Sequence, residues 1–355
     1  MIARGNRPTP EVLGRLSRAL EYPLEFFFGC GLSPLANSPL NFVAPRGTAA
    51  SSRAAAAAAA SLGVCLFAWL QNRLPLPAVI LPELGGPDPE MAARSLRRMW
   101  GLGERPLGNL TALVETFGIR VFSLPADLVI VGTFSFLCDD RLYICQNNFL
   151  SPEASRFELA CAFGDLVWGS HRKPQAGGAS QEFASALLMP EGDVRAHVCT
   201  PISSDLVCAS AARWYVSAPT LLRRLVYLQM AGPTEARSLA SELRALETAP
   251  IFRARTSRES SLVWQLALER LWAQRITKQD IANELRVPFQ EVEELLRAWL
   301  ATPSLTGPGS VGFHPQNRAE LPALRARPRS CSNRACDRRA APSRPLSTFA
   351  RCLLT

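Results

Sequence analysis

The sequence predicts an α+β protein, with a helix-rich domain that contains a small antiparallel sheet and is flanked by helical segments. Two patterns predict this class. Residues 88–188 run in the order helix, helix, strand, hairpin, helix, helix, and the chain after residue 200 shows helical periodicity only. Hydrophobic residues make up 48% of the 355 residues and charged residues 19%, so most of the chain is able to bury a core.

The first predicted element is a helix that begins at Thr9-Pro10, where Thr is a suitable N-cap and Pro suits the first helical position. We expect it to end at Tyr22-Pro23, because the residue before a proline avoids the helical region. Residues 29–48 are rich in Gly and Pro and predict a loop. The leucines expected on the inner face of the helix are Leu13, Leu16 and Leu20.

The second helix is predicted over residues 49–73, around the uncharged, Ala-rich segment 54–70. A membrane-spanning helix needs about 20 strongly apolar residues. Here the first seven residues of the segment are alanine, so we expect a helix docked on a neighbouring element and no membrane span. Residues 74–87 then form a Pro- and Gly-rich connector.

Residues 88–188 carry the most distinct element signals. Helices are expected from Asp88-Pro89 to Trp100, and from an Asn109 cap to Gly118. Strands are expected at 119–124, 129–137 and 141–145, the last two forming a hairpin around Asp139-Asp140. Two further helices are predicted, one from Pro152 to about Trp168 and one from Ser180 to Leu188.

The C-terminal part is predicted to be helical, with Ser217 capping a helix over 218–230 and two helices in 276–300 joined at Val287-Pro288. The 276–300 pair is also a candidate helix-turn-helix. Its second helix carries acidic residues that phosphates would repel, so a structural helical hairpin is the preferred interpretation. These acidic residues are Glu291, Glu293 and Glu294.

Charge and cysteine usage point to a cytoplasmic protein. The net charge is +9, but residues 301–355 hold nine Arg against Glu320 and Asp337, so +7 belongs to the tail and +2 to the remaining chain. We expect residues 303–355 to be a disordered basic tail. The N-terminus lacks the apolar region of a signal peptide, so the ten Cys are expected to be reduced thiols. A zinc knuckle at Cys331 and Cys336 stays an open alternative.

Several segments together resemble the ImmA/IrrE group of zinc metallo-endopeptidases, which carry a Cro/C1-type helix-turn-helix. Residues 1–30 resemble the end of that helix-turn-helix, and 31–87 are the linker with the Ala-rich helix. Residues 88–230 resemble the peptidase domain, and 231–302 form a helical C-terminal region. The segments that carry the likeness are WGLGERPLGNLTALVETFGIRVFSLP, SRFELACAFGDLVW, EFASALLMP and RWYVSAPTLLRRLVYL.

The resemblance implies an H-E-x-x-H zinc helix at SRFELACAFGDLVW, where the motif is degenerate. Histidines four residues apart on one helical face bind zinc, and the glutamate is the general base. In this chain Cys161 and Asp165 stand at the two histidine positions and Ala162 at the glutamate position. The third ligand position aligns near Ala179, which has no acid. The resemblance therefore implies that no catalytic residue of the motif is intact.

Three interpretations of these positions remain open. Cys161 and Asp165 are weak candidate metal ligands, with Glu182 on the next helix as a third. Cys161 is also conceivable as a nucleophile with His171 as its base, although a buried structural cysteine is preferred. Asp165 needs solvent or a partner, and the alternatives are Arg156, Arg172 or a neighbouring backbone group.

The function implied by the resemblance is that of a regulatory protein, of the type of helix-turn-helix transcriptional regulators, with an inactive peptidase domain. No cofactor is expected, although the family uses zinc. The expected partner is a protein such as a transcriptional repressor. One alternative is a zinc metallo-endopeptidase with rearranged ligands that cleaves a repressor. Another is a DNA-binding regulator, which requires a recognition helix upstream of Met1, because only the closing helix of the domain follows Met1.

Overall fold

The structure is a computed structural model that describes residues 8–28, 35, 40–43, 49–81, 84, 88–167, 178–247 and 258–300. These ranges contain thirteen α-helices and one four-stranded sheet, which confirms the α+β class. The predicted tail 303–355, His171, Arg172 and the cysteines of the tail lie outside them. The helices are α1 (Pro10–Leu20), α2 (Ala50–Gln71), α3 (Pro89–Met99), α4 (Leu110–Thr116), α5 (Pro152–Val167), α6 (Ala179–Leu188), α7 (Glu191–His197), α8 (Ser204–Ala211), α9 (Ala218–Tyr227), α10 (Pro233–Glu247), α11 (Leu262–Ala273), α12 (Lys278–Leu285) and α13 (Phe289–Leu300).

The sheet has the order β1-β3-β4-β2 and is built from β1 (Asn41–Phe42), β2 (Arg120–Ser123), β3 (Phe134–Cys138) and β4 (Arg141–Gln146). The predicted hairpin is confirmed as β3–β4. Its two turn residues, Asp139 and Asp140, both have positive φ, as a tight two-residue hairpin turn requires. Residues 129–131, expected at the start of the first hairpin strand, belong instead to a 3-10 turn over residues 126–131.

The sheet is mixed, whereas the sequence predicted only antiparallel pairing. β1 pairs with β3 and β3 with β4 in antiparallel orientation, but β2 lies parallel to β4. Although β3 follows β2 in the chain, the two strands are not neighbours: β3 pairs with one edge of β4 and β2 with the opposite edge. Alternation of side chains along a strand does not reveal which strand lies beside it, so this pairing was not readable from the sequence.

The predicted helix starts are confirmed by capping hydrogen bonds. Asn109 Oδ1 accepts from the backbone N of Ala112 at 3.0 Å, and Asp88 and Ser217 cap α3 and α9 in the same way. Helix α1 begins after Thr9 as expected and ends at Leu20. Leu13 is buried, but Leu20, which was expected to face inward, is 56% exposed.

Helix α2 is long and apolar enough to cross a membrane by length and composition, yet 56% of its most apolar window is buried inside the fold. The Phe67 ring lies 4.9 Å from that of Trp264. Trp69 Nε1 donates to Glu284 at 2.8 Å. The predicted docking of this helix on neighbouring elements is therefore observed.

The C-terminal helices share their core with the sheet. Trp264 of α11 is buried, and its Nε1 donates to the carbonyl oxygen of Val121 in β2 at 3.0 Å. Asn109 Nδ2, at the start of α4, donates to the carbonyl oxygen of Ser260 at 2.7 Å. One continuous hydrophobic core crosses the predicted boundary between residues 230 and 231. The division into a peptidase-like domain and a C-terminal region stays a prediction.

The two helices predicted in 276–300 are observed as α12 and α13. Their apolar side chains, which include Ile281, Val292 and Leu296, are buried. Two of the acidic residues of α13 bind partners inside the protein: Glu291 accepts from the Tyr22 hydroxyl at 2.7 Å, and Glu293 lies 3.4 Å from Lys278 Nζ. The pair is packed against the protein, as a structural hairpin would be.

Candidate functional site

Helix α5, where the resemblance implies the degenerate motif, lies at the centre of the protein. It contacts β3 and β4 on one side and α4 and α6 on others. Apolar residues therefore occur all around it, and ten of its sixteen residues are buried. A helix that is apolar on all sides is typical of a core position. The motif side chains therefore lie in the packed interior and do not line an open cleft.

The two helices α5 and α6 approach each other closely at Gly164. A Cβ built on Gly164 would lie 2.6 Å from Cδ1 of Phe183, a side chain that is 0% exposed. Real Cβ atoms do not come this close to another heavy atom, so only glycine allows this separation. The glycine therefore sets the distance between the motif helix and α6.

We expect Gly164→Ala to lower the free energy of unfolding by about 1–3 kcal/mol, the usual cost of overpacking a tight core. A matched control is Gly14→Ala in α1, where a Cβ meets nothing within 4 Å. That change should be neutral or stabilise by about 0.5–1 kcal/mol, because alanine favours a helix over glycine. Urea unfolding of both variants makes the comparison. Equal effects at the two glycines would contradict the packing explanation.

The side chains at the three motif positions are buried or partly buried, as in a protein core. Cys161 is 1% exposed and Ala162 is 0% exposed. Asp165 is partly buried, one helical turn beyond Cys161. Ala162 stands where the resemblance places a general base, and its methyl group is enclosed by protein on all sides. This position has neither a proton acceptor nor access for water.

The Cys161 thiol is held in its protonated form. Burial raises its pKa well above the usual value, and the neighbouring carboxylates of Asp165 and Glu158 raise the pKa further. The thiolate is the nucleophilic and metal-binding form of cysteine. The environment therefore opposes both roles suggested for Cys161. His171, the base that the nucleophile hypothesis requires, lies outside the described residues.

Asp165 is partnered by a serine. The Ser180 hydroxyl, at the start of α6, donates a hydrogen bond to Asp165 Oδ1. Burial raises the pKa of Asp165, and the Ser180 hydrogen bond opposes that rise. Of the partners predicted from sequence, Arg156 is wrong and Arg172 lies outside the described residues. Ser180 directly follows Ala179, where the resemblance places the third metal ligand. This neighbouring position was the sequence signal that could have identified Ser180.

Arg156 lies on another side of α5 and forms a buried ion pair with Glu259, in the segment before α11. The nitrogen atom of this ion pair, Nη1, also donates to the carbonyl oxygen of Gly108 at 2.7 Å, and Nη2 donates to that of Leu107 at 2.8 Å. The same Glu259 accepts from the backbone N of Thr111 at 2.8 Å. Sequence reasoning missed Glu259, because 103 residues separate it from Arg156.

The donor set of α5 does not fit a zinc ion. Structural and catalytic zinc sites use at least three protein ligands in tetrahedral geometry. Cys161 and Asp165 would be two, but Ala179 occupies the aligned third position and Glu182 is exposed on α6. Within the parts of the chain that the structure describes, no group of three or more His, Cys, Asp or Glu side chains is arranged to hold a metal ion.

Comparison with known proteins finds no matching family model and no matching curated protein.

Proposed function

We propose that this chain is a cytoplasmic regulatory protein of the ImmA/IrrE type, in which the peptidase-like domain binds a protein partner without cutting it. The single observation that supports the proposal best is Ala162. It stands at the position of the general base, is 0% exposed and offers no group that accepts a proton.

The chemistry of peptide hydrolysis explains why this one position matters. A metallopeptidase needs a metal with an open coordination position and a base that takes the proton from the attacking water. Loss of a general base alone typically lowers a rate by about 10²–10⁴-fold. In α5 the base position and the third ligand position are both alanine. Binding of an extended protein segment needs neither group.

The partner in this proposal is a protein such as a transcriptional repressor, as the resemblance implies. Residues 1–300 carry a net charge of only +2, so this part of the chain as a whole does not favour DNA. The acidic residues Glu291 and Glu293 on α13 would also repel the phosphate groups of DNA. A protein partner is therefore favoured over a nucleic acid.

The test of the proposed function is the zinc content of the full chain, purified without a metal-binding tag and measured by elemental analysis. We expect well below one zinc per chain. The same protein should not cleave an unfolded substrate such as reduced casein, with or without added zinc. Cooperative thermal unfolding of the same sample shows that the protein measured is folded.

Near one zinc per chain, lost in Cys161→Ser and in Asp165→Asn, would overturn the proposal if chelator-sensitive cleavage accompanied it. The function would then be that of a zinc metallo-endopeptidase with rearranged ligands. Ser203→Ala serves as a matched control variant, because Ser203 is the N-cap of α8 and belongs to neither α5 nor α6. Its zinc content and cleavage should equal those of the unmodified chain.

A further inference from the structure

A cavity of about 710 Å³ lies among helices α2, α12 and α13 and the 3-10 turn Leu24–Phe28. Sites for small molecules in proteins typically have volumes of about 300–1,000 Å³ and mostly apolar walls. Trp69 of α2 and Val292 of α13, which are both buried, belong to the walls of this cavity. Phe26 and Phe27 line it from the 3-10 turn. The cavity therefore has the size and the lining of a site for a small apolar molecule.

Hydrogen bonds between side chains join the walls of the cavity to one another. Trp69 Nε1 donates to Glu284 at 2.8 Å and so joins α2 to α12, and Arg73 of the chain after α2 also donates to Glu284. The Tyr22 hydroxyl donates to Glu291 at 2.7 Å and joins the N-terminal segment to α13. A site whose walls are fixed in advance binds its ligand without the cost of ordering them.

The carboxylate of Glu291 is the polar group of the cavity that lacks an opposite charge. It is partly buried and accepts a hydrogen bond from Tyr22, but it forms no ion pair with any residue that the structure describes. Burial raises the pKa of Tyr22, and the nearby Glu291 carboxylate raises the pKa further, so the hydroxyl stays a neutral donor. A charge removed from water is costly unless it is paired. By contrast, Glu284 is paired with Arg73.

The aromatic side chains of the cavity also favour a cation. The face of an aromatic ring attracts positive charge. The guanidinium group of Arg73 already lies 4.1 Å from the centroid of the Trp69 ring. Arg286 is the one guanidinium group among the side chains that line the cavity, but it is exposed and is therefore solvated by water. The partly buried carboxylate and the aromatic walls together favour a cationic ligand over an anionic one.

We propose that this cavity binds a small ligand with a flat apolar body and a protonated primary amine. The body lies between Trp69 and the rings of Phe26 and Phe27, and the amine forms an ion pair with Glu291. The inference goes beyond the proposed function and does not rest on it, because the residues that line the cavity belong to neither α5 nor α6.

The test uses three probes that share a naphthalene ring: naphthylethylamine, naphthylethanol and naphthylpropionate. Each is titrated into the full chain at neutral pH, where the amine is protonated, and its affinity is measured by isothermal titration calorimetry. We expect the amine to bind at least about tenfold more tightly than the alcohol, because a hydrogen bond to a charged group contributes more than a neutral one. The propionate should bind most weakly. Equal affinities for amine and alcohol, a preference for the propionate, or no binding of the amine would overturn the proposal.

The variant Glu291→Gln removes the charge and retains the shape of the side chain. It should lower the affinity for naphthylethylamine about tenfold and leave the affinity for naphthylethanol unchanged. The matched control is Glu293→Gln on the same helix, because Glu293 lies 3.4 Å from Lys278 Nζ and does not line the cavity. This control should bind the amine as the unmodified chain does. Equal losses in the two variants would show that the amine does not pair with Glu291.

A second pair of variants tests the location of the site without touching its charge. Ala68 is exposed on α2 and lines the cavity, so the indole ring of Ala68→Trp should fill it and abolish binding of the amine. Ala58→Trp is the control, since Ala58 is exposed on the same helix and does not line the cavity. Unchanged affinity in Ala68→Trp would contradict the proposal even if Glu291→Gln does not fold. Zinc content and casein cleavage do not depend on this site, so the failure of either proposal leaves the other standing.

Discussion

Replacing Arg156 with alanine is expected to lower the free energy of unfolding by about 3–5 kcal/mol. The Arg156 side chain is 3% exposed, and Glu259 is its ion-pair partner. Without the guanidinium group, the partly buried Glu259 carboxylate loses its countercharge, and the carbonyl oxygens of Leu107 and Gly108 lose their donors. An uncompensated buried charge costs far more than the pair contributes when intact. Urea unfolding monitored by tryptophan fluorescence measures the change.

The control for Arg156 is Arg94→Ala, which removes an ion pair with Glu191 at 3.1 Å on a side chain that is 45% exposed. Solvent screens that pair, so its removal should cost about 0–1 kcal/mol. The double variant Arg156→Ala/Glu259→Gln removes the orphaned charge as well. It should be more stable than the sum of the two single effects predicts. A loss below about 1 kcal/mol for Arg156→Ala would contradict this account.

The contribution of Glu115 to stability is expected to fall by about 3 kcal/mol as the pH rises from about 4.5 to 8. Glu115 is 1% exposed, and burial raises its pKa to about 7 from an ordinary value of 4.5, against the opposing effects of hydrogen bonds from Ser261 and Val263 and of Arg120. The folded protein thus holds this proton more tightly than the unfolded chain. The stabilisation is complete below pH 4.5 and is lost as the pH rises through 7. A shift of one pKa unit corresponds to about 1.4 kcal/mol.

The variant Glu115→Gln isolates this effect from other groups. Asp165 and Glu158 also have raised pKa values, so the unmodified protein alone would combine several titrations. The difference in unfolding free energy between the unmodified protein and Glu115→Gln should change by about 3 kcal/mol over this pH range. Glutamine offers one acceptor oxygen instead of two, which adds a constant offset but no pH dependence. A pH-independent difference would show that Glu115 does not titrate in this range.

The helices and the hairpin were predictable because their signals are local. A cap such as Asn109 satisfies backbone N–H groups three residues away, and the hairpin turn at Asp139-Asp140 joins neighbouring strands. The predicted start of β3 was wrong, because a short apolar run such as 129–131 does not by itself distinguish a strand from a 3-10 turn. The strand β1 was missed, since two residues carry no detectable alternation.

Less of the candidate site was predictable. The sequence alone shows that Cys161, Ala162 and Asp165 stand at the positions where the resemblance implies the motif. The partner of Asp165 depended on how α5 packs against α6, which the sequence does not state. Ser180 reaches Asp165 because Gly164 permits the close approach of the two helices.

By itself, the sequence determined the fold class and the starts of most of the helices that it predicted, and it supplied the resemblance that implies alanine at the positions of a general base and a third metal ligand. Only the tertiary structure decided that β2 lies parallel to β4, that Glu259 neutralises Arg156, and that residues 41–43 cover the outer edge of β3. The physical reason is the separation along the chain over which each kind of interaction acts. Capping and periodicity act over a few residues, whereas strand neighbours and buried ion pairs join residues that are far apart in the chain and meet only when the core is packed.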